Sequence, residues 1–308
     1  MNSNQMPFFW KIRSHISSIY LYKLGKFSFY LKFFIYIFTN FKHPLKSLFL
    51  IRKKVYPYKL RKNNQAILTI DNEMQLSLVT RGIDETIKIE NDLMKISFQE
   101  RELYFKYFKT IEIDIFLQKI YSLLPVKDKI LIDVGGNVGD SSLLYRVLGA
   151  KKVIMLEPQP KFVEFAKENI EINNESSNIQ IIKAALSNRK GKLFINYEKS
   201  GRSFSFEEDK DNGIEIPKIT LNDILSNDIL SNDSHYVLKL DCEGCEYDVL
   251  LSSPDEILQK FDGILLEFHS GFLEIAYRLE KLGFKIKILN SKFTPKKLYR
   301  GHLLAVRK

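Results

Sequence analysis

Cysteine is nearly absent from this sequence of 308 residues. Only Cys242 and Cys245 occur, so a framework of structural disulfides is excluded, and a reducing or redox-indifferent compartment is indicated. A single Cys-x-x-Cys pair also lacks the second ligand pair that a structural zinc site needs. We therefore interpret the two cysteines as small side chains at buried apolar positions.

Long apolar runs are also missing. No stretch of about 18 uncharged apolar residues occurs, so the sequence predicts no membrane-spanning helix. No clean apolar segment with a small-residue cleavage site follows a charged start, so we expect no signal peptide. Apolar and charged fractions of 45% and 27% are typical of globular proteins. We expect a cytoplasmic protein that is soluble or, at most, peripheral on the inner face of a membrane.

Acidic residues are absent from residues 1–62, which hold ten lysines and three arginines. The remaining 34 basic residues stand against 37 acids, so the net charge of +10 comes from this segment and the rest of the chain is close to −3. Aromatic residues are interleaved with the cations. This mixture suits helices that pack on the main domain, lie in an anionic membrane surface or bind nucleic acid. We predict a basic aromatic helical module and leave these three roles open.

Residues 63–125 carry a different pattern. Apolar residues alternate with polar ones in AILTIDNEMQLSLVT (66–80) and TIKIENDLMKISF (86–98), which predicts a small β element. The following stretch, 100–124, has helical spacing and is followed by Pro125, so we predict a linking helix there.

From residue 126 to 308, short apolar runs alternate with helical stretches. This pattern predicts an α/β domain with a mostly parallel, doubly wound sheet that is covered on both faces. Such sheets bind ligands at the carboxyl ends of their strands. Acids end or nearly end four of the apolar runs, and we expect them to share a site: Asp133, Glu157, Asp241 and Glu267.

The first of these runs continues into the glycine-rich stretch DVGGNVGDS. It lacks both the Gly-x-Gly-x-x-Gly fingerprint of dinucleotide-binding proteins and the Gly-Lys-Ser/Thr of a phosphate loop. Its glycines allow a sharp turn and a close backbone approach to a ligand, and the amides at the start of the next helix favour a negative group.

Three motifs resemble a known family. DVGGNVGDS, with Glu157 at the end of the next strand, resembles motifs one and two of class I S-adenosylmethionine-dependent methyltransferases. LKLDCEGCEYDVL (238–250) is similar to the LKIDVEGAExxVL signature of the FkbM-type methyltransferase family, from which it departs at the two cysteines. ILLEFH (264–269) resembles that family's next block. The resemblance covers about residues 129–289.

The resemblance implies a Rossmann-like class I methyltransferase fold with S-adenosyl-L-methionine as cofactor. The glycine amides would meet its carboxylate, Asp133 would help hold its ammonium end, and Glu157 would accept both ribose hydroxyls. The residues that the resemblance assigns to cofactor binding are Asp133, Gly135, Gly136, Asn137, Gly139, Asp140, Ser141, Glu157 and Pro158.

Methyl transfer to an unactivated hydroxyl requires in-line alignment and removal of a proton. We predict Asp241 or His269 as the base, with Glu243 shaping the loop or the acceptor pocket. The carboxylates are also a candidate site for a divalent metal, but we assign no metal ligand. In the polar stretch 199–213, Ser200, Arg202 and Ser203 are candidate acceptor contacts.

The predicted function is O-methylation of a sugar hydroxyl in a glycan or glycolipid, with residues 1–62 docking the enzyme on an anionic membrane or on an anionic acceptor. One alternative is an RNA methyltransferase, although the Asn-Pro-Pro-Tyr tetrapeptide of many base-methylating enzymes is absent. Another is a non-catalytic module that binds S-adenosylmethionine. The expected partner is a small-molecule or glycan acceptor, with nucleic acid less favoured.

Overall fold

The computed structural model describes residues 31, 34–53, 55, 57–64, 67–70, 87–90, 93–106, 114–117, 120–195, 213–227, 235–293 and 299–307. The chain forms two compact units, Met1–Leu103 and Tyr104–Lys308. The predicted boundaries after residues 62 and 125 stay a prediction.

The first unit contains helices and short antiparallel strands. Residues 34–40 are helical, and helix α1 spans Pro44–Lys53. Strands β1 (Tyr58–Arg61) and β2 (Ile67–Ile70) pair antiparallel. Four buried apolar side chains form a small core between these elements: Ile37, Phe41, Leu60 and Ile70.

A second small sheet, of order β3-β4-β5, includes β3 (Ile87–Glu90), β4 (Leu93–Phe98) and β5 (Arg101–Phe105). The prediction of a helix from residue 100 is wrong over β5. Leu103 and Phe105 are buried at alternate positions, which suits a strand. Gln99 and Glu100 have φ angles of 45° and 63°, as in the two-residue turn of a hairpin. Further on, only α2 (Asp114–Leu117) and a 3₁₀ turn (Tyr121–Leu123) are helical among the described residues up to 124.

The second unit is built on a seven-stranded sheet of order β14-β15-β13-β12-β6-β7-β8. Strand β15 runs antiparallel to both of its neighbours, β13 and β14, and the other pairs of this sheet are parallel. Every residue of β6 and β12 is buried, as expected for strands covered on both faces. The strands are β6 (Ile130–Val134), β7 (Lys152–Leu156), β8 (Ile179–Ile182), β12 (Tyr236–Leu240), β13 (Phe261–Phe268), β14 (Phe284–Phe293) and β15 (Tyr299–Arg307).

Helices connect the parallel strands, and a small separate sheet of order β10-β11-β9 lies between β8 and β12 in the sequence. The α/β fold predicted for this region is therefore confirmed. The remaining elements are α3 (Asp140–Val147), α4 (Pro160–Ile172), β9 (Ala185–Leu186), β10 (Gly191–Ile195), β11 (Ile214–Ile219), α5 (Leu221–Asn227), α6 (Cys245–Ser252), α7 (Asp255–Leu258) and α8 (Leu273–Lys281).

The strand order places the ligand-binding edge of the sheet. From β6 the chain continues to β7 on one side, whereas β12 lies on the other side. The strand order therefore reverses between β6 and β12, and doubly wound sheets bind their ligands at such a point.

Candidate active site

A cavity of about 320 Å³ opens at the carboxyl ends of β6, β7, β12 and β13. Of the predicted cofactor residues, it is lined by Gly135, Asn137, Asp140, Ser141, Glu157 and Pro158. Of the predicted catalytic residues, Asp241 and Glu243 line it. Its other walls carry Lys239, Glu267, Phe162, both cysteines and several apolar side chains. The candidate acceptor contacts 200, 202 and 203 lie outside the described residues.

The glycines of the loop after β6 allow close packing. A Cβ atom on Gly135, whose φ is +75°, would lie 1.9 Å from the backbone oxygen of Asp241. A Cβ atom on Gly136 would lie 2.4 Å from Cγ of Met155. Gly139 adopts the left-handed conformation that starts α3. Gly136 and Gly139 do not line the cavity, and Met155 fills the space that a side chain at position 136 would need.

Asp133 also lies beneath the cavity and is completely buried. Its Oδ2 atom accepts hydrogen bonds from the hydroxyls of Ser141 and Ser142, both at 2.7 Å. Its Oδ1 atom lies 3.1 Å from Nζ of Lys239. Asp133 therefore ties the first turn of α3 to β6 and β12, and it supports the wall of the cavity.

Lys239 is a site residue that the sequence reasoning missed. Its Nζ atom donates a hydrogen bond to the backbone oxygen of Gly135 at 2.9 Å and lies 3.8 Å from Oδ2 of Asp241. Burial lowers the pKa of Lys239, but the negative charges of Asp133 and Asp241 outweigh this effect and raise the pKa overall. A lysine inside the apolar run YVLKLD was the available signal, because buried lysines are rare unless they are paired.

Glu157 is buried directly after β7 and lines the cavity. Its Oε2 atom accepts a hydrogen bond from the amide of Asn137, and its Oε1 atom accepts one from the amide of Gln159, both at 2.9 Å. Burial raises the pKa of Glu157 to about 7, although the two amides act in the opposite direction. Each carboxylate oxygen has a second lone pair that can accept a hydrogen bond from a ligand.

Acidic side chains and one imidazole gather at the β12 and β13 end of the cavity. Nε2 of His269 lies 3.3 Å from Oε2 of Glu243 and 4.0 Å from Oε1 of Glu267, and Nδ1 lies 3.6 Å from Oε1 of Glu246. Burial lowers the pKa of His269, but these three acids outweigh it and raise the pKa. Burial raises the pKa of Glu243. The structure therefore brings the predicted catalytic residues to one end of the site.

The turn between β12 and α6 is closed by a disulfide between Cys242 and Cys245. The prediction of two small buried cysteines at apolar positions is therefore wrong, because both are half-buried and line the cavity. Within the turn, Glu243 and Gly244 have φ angles of 56° and 134°. The carboxylate of Glu246 accepts hydrogen bonds from the amides of Cys242 and Gly244 at 3.0 and 2.8 Å. The disulfide and these two hydrogen bonds hold the start of α6 close to the end of β12.

Tyr247 is a second residue that sequence reasoning did not assign. Its hydroxyl donates a hydrogen bond to the backbone oxygen of Gly271 at 2.7 Å. It accepts hydrogen bonds from the amides of Ser270 at 2.7 Å and His269 at 3.2 Å. Helix α6 thus fixes the backbone of the segment that follows β13 and carries His269.

Residues 133–286, half of the chain, match the family described as the methyltransferase FkbM domain. The chain belongs to the FkbM methyltransferase family. Its enzyme class is therefore that of an S-adenosylmethionine-dependent methyltransferase, as predicted. A curated relative, Methyltransferase 1 of Beauveria bassiana (strain ARSEF 2860), is 25% identical over 220 residues, which cover 63% of this chain and 88% of the relative.

Solved methyltransferase structures are similar to the chain at low TM-scores. Methyltransferase FkbM from Methylobacillus flagellatus KT has a TM-score of 0.39 and 15% identity, with 60% of this chain and 47% of that chain covered. Precorrin-6y C5,15-methyltransferase from Geobacter metallireducens GS-15 has a TM-score of 0.36 and 13% identity, with 61% and 86% covered.

The residues of the cavity fit the cofactor of an FkbM methyltransferase. The volume of the cavity falls within the usual range of small-molecule sites, about 300–1,000 Å³. Asn137 and Ser141 present polar groups beside the glycine turn, and Glu157 supplies buried acceptor oxygens. Phe162 and Ala184 add apolar surface for a ring.

Proposed function

We propose that this protein transfers a methyl group from S-adenosylmethionine to a sugar hydroxyl of a glycan or glycolipid. The proposal rests on the arrangement of the cavity. Glu157 lies at the end of β7, and the carboxylates of Asp241, Glu243 and Glu267 lie at the ends of β12 and β13. A single cavity thus has one part suited to the cofactor and another suited to proton removal.

In this proposal the cofactor is held by the residues after β6 and β7. When bound, it supplies an electrophilic methyl group on a positively charged sulfur. Gly135, Asn137 and Ser141 would contact its amino acid end, and Glu157 would accept hydrogen bonds from its ribose hydroxyls. Asp133 would not contact the cofactor itself but would position Ser141, whose hydroxyl donates a hydrogen bond to its carboxylate.

The acceptor would lie against the carboxylates at the ends of β12 and β13. An unactivated hydroxyl must lose its proton as its oxygen attacks the methyl carbon, and Asp241 or His269 would take that proton. Glu243 would shape the pocket. A sugar suits this wall because carboxylate oxygens accept hydrogen bonds from several hydroxyls at once.

The test is methyl transfer from isotopically labelled S-adenosylmethionine to a panel of acceptors that includes oligosaccharides, glycolipids, RNA and protein. We expect label on a sugar oxygen, with one equivalent of S-adenosylhomocysteine formed for each methyl transferred. Label on RNA alone would overturn the proposal in favour of the RNA alternative. Cofactor binding with no transfer to any acceptor class would favour a non-catalytic module.

Glu157 allows a test of cofactor binding. Since its pKa is raised to about 7, its carboxylate becomes ionised between pH 6 and 8 and then accepts ribose hydrogen bonds more strongly. We expect calorimetry to show tighter S-adenosylmethionine binding at pH 8 than at pH 6. In Glu157→Gln we expect affinity to fall about tenfold or more, since hydrogen bonds to charged groups contribute about 1.5–3 kcal/mol, and this pH dependence to disappear.

The same pKa shift has a consequence for stability. A carboxyl whose folded-state pKa lies above its unfolded value binds more protons in the folded state, so Glu157 makes stability fall as pH rises from about 4.5 to 7. Glu157→Gln should flatten this part of the stability profile. If Glu157→Gln leaves both the pH profile of stability and the affinity for S-adenosylmethionine unchanged, Glu157 does not belong to the cofactor site.

We further propose that residues 1–62 dock the enzyme on an anionic membrane. Four exposed apolar side chains follow the helical spacing i, i+3, i+4 and i+7: Leu31, Phe34, Ile35 and Phe38. The surrounding sequence supplies lysines and arginines without any acid. Such a stripe with neighbouring cations is typical of helices that lie in a membrane interface. No helix in the described ranges is both long and apolar enough to cross a membrane.

The double substitution Phe34→Ser and Phe38→Ser removes two rings without changing charge. We expect binding to phosphatidylserine vesicles to weaken about tenfold or more, since burying one such side chain is worth roughly 1.5–3 kcal/mol. Flotation with vesicles measures this loss. Tyr277→Ser, which alters an exposed ring on α8, is the control. Equal flotation of all three proteins would contradict the docking proposal.

A further inference from the structure

Three side chains at the acidic end of the cavity converge on one point. Asp241, Glu267 and His269 each offer a donor atom, and these atoms all lie within 4.8 Å of one another. They come from the ends of β12 and β13, which pair in parallel, so adjacent strands fix their backbones. Two ligands on one cation with bonds of about 2.1 Å lie at most about 4.2 Å apart, so shifts of a few tenths of an ångström would bring all three to a common cation.

The imidazole of His269 is the observation that distinguishes this group from an ordinary acidic cluster. His269 is only 7% exposed, and its ring nitrogens lie 3.3 Å from Glu243 and 3.6 Å from Glu246 without forming a hydrogen bond to them or to any other described residue. Buried polar groups normally have such partners, so a buried imidazole without one requires an explanation. Its Nε2 atom lies 3.3 Å from Glu243 and 4.0 Å from Glu267, and both of these acids line the cavity.

The charge around the imidazole favours a cation. Carboxylates of Asp241, Glu243, Glu246 and Glu267 surround this end of the site. The ammonium of Lys239 is the cation of β12 closest to them, but it lies nearer to Asp133, at 3.1 Å, than to Asp241, at 3.8 Å. It also donates a hydrogen bond to Gly135. The charge of Arg300 also acts on Glu243. Lys239 and Arg300 therefore only partly compensate the four carboxylates at this end.

We propose that Asp241, Glu267 and His269 bind a divalent cation at the acceptor end of the cavity. Two carboxylates and one imidazole suit a metal that accepts both oxygen and nitrogen, such as Mn²⁺ or Zn²⁺. Since the group offers three protein ligands, of which Asp241 and Glu267 line the cavity, a bound cation would keep positions open for another ligand.

This proposal rests on the proposed methyl transfer and refines it. A cation held by these residues would polarise the acceptor hydroxyl. Asp241 and His269 would then be ligands, and Glu243 would be the carboxylate that takes the hydroxyl proton. The acceptor oxygen forms its bond to the methyl carbon while the carbon–sulfur bond breaks, and S-adenosylhomocysteine leaves with the electron pair.

The test uses the full chain, freed of metal by a chelator and then desalted. Free Mn²⁺ is measured by electron paramagnetic resonance during titration. We expect one saturable equivalent of Mn²⁺ for the wild-type chain, and binding about tenfold or more weaker for Glu267→Gln and for His269→Gln. Glu256→Gln, which alters an exposed carboxylate of α7, should bind like the wild type. Circular dichroism confirms that each variant is folded.

The possible outcomes distinguish failure of the proposed cation site from failure of the proposed methyl transfer. If the folded wild-type chain shows no saturable Mn²⁺ binding, or if Glu267→Gln binds Mn²⁺ as the wild type does, the cation site is overturned. Full methyl transfer by the chelated protein overturns the catalytic role of a cation while leaving the proposed methyl transfer intact. If Mn²⁺ binding depends on Glu267 but no acceptor is methylated with or without Mn²⁺, the site is supported and the proposed methyl transfer fails.

Discussion

Replacement of Lys239 by methionine should lower the free energy of unfolding by about 3–5 kcal/mol, as expected when one partner of a buried ion pair is removed. The side chains of Lys239 and Asp133 are 4% and 0% exposed, so water can replace little of the lost interaction. Methionine retains the length of the apolar stem but leaves the carboxylate of Asp133 without its cation. Urea unfolding, followed by circular dichroism, measures the change.

Two further variants test the cause of this loss. Lys167→Met alters an exposed lysine of α4 and should change stability by no more than about 0.5 kcal/mol. The double variant Lys239→Met with Asp133→Asn removes both charges, and it should be more stable than the sum of the two single changes predicts. If Lys239→Met is no less stable than Lys167→Met, the pair does not support the fold of the site.

Asp241→Asn should reduce kcat by a factor of about 10² to 10⁴, the range that general acid–base catalysis contributes. The side chain of Asp241 is 20% exposed and lines the cavity, and asparagine keeps its shape while removing its charge. Because the residues proposed to hold the cofactor follow β6 and β7, the affinity for S-adenosylmethionine should change by no more than about threefold. Calorimetry and methyl transfer from labelled cofactor provide the two measurements.

Asp128→Asn is the matched control, because Asp128 is exposed in the turn before β6 and asparagine tolerates its positive φ of 61°. A loss of affinity as large as the loss of turnover in Asp241→Asn would show that Asp241 belongs to the cofactor part of the site. The variant loses turnover whether Asp241 takes the proton itself or holds a cation. Titration with Mn²⁺ separates these two roles.

The sequence predicted the elements whose patterns are local. The apolar runs of β6 and β12 and the helices after them were recognisable because parallel strands that are buried on both faces are apolar throughout. Strand β5 was missed because ERELYFK also fits helical spacing, and only its hairpin turn and pairing with β4 decide the structure. Strands β11 and β15 were not predicted, although β15 pairs with two neighbours in the main sheet.

The sequence indicated which acids gather at one edge of the sheet, but not the contacts that they make. Acids at strand ends indicated a shared edge of the sheet, and Glu157, Asp241 and Glu267 line one cavity there. The burial of Asp133 beneath that cavity depends on Lys239 and the serines of α3, which no spacing rule brings together. The disulfide likewise depends on the fold of one turn, which brings two Cα atoms three residues apart to 5.6 Å.

The glycine at position 135 has a consequence for how the enzyme would choose among acceptors. Its missing side chain lets the backbone of the first loop lie directly against the backbone of Asp241. In the proposed reaction, the separation between the cofactor's methyl group and the acceptor oxygen would then be set by this main-chain contact, whereas side-chain rotamers would leave it adjustable. A fixed separation reduces the entropy that must be lost before reaction. Acceptors should therefore be discriminated by where they place one oxygen, and changes in the distant parts of the acceptor should affect binding more than turnover.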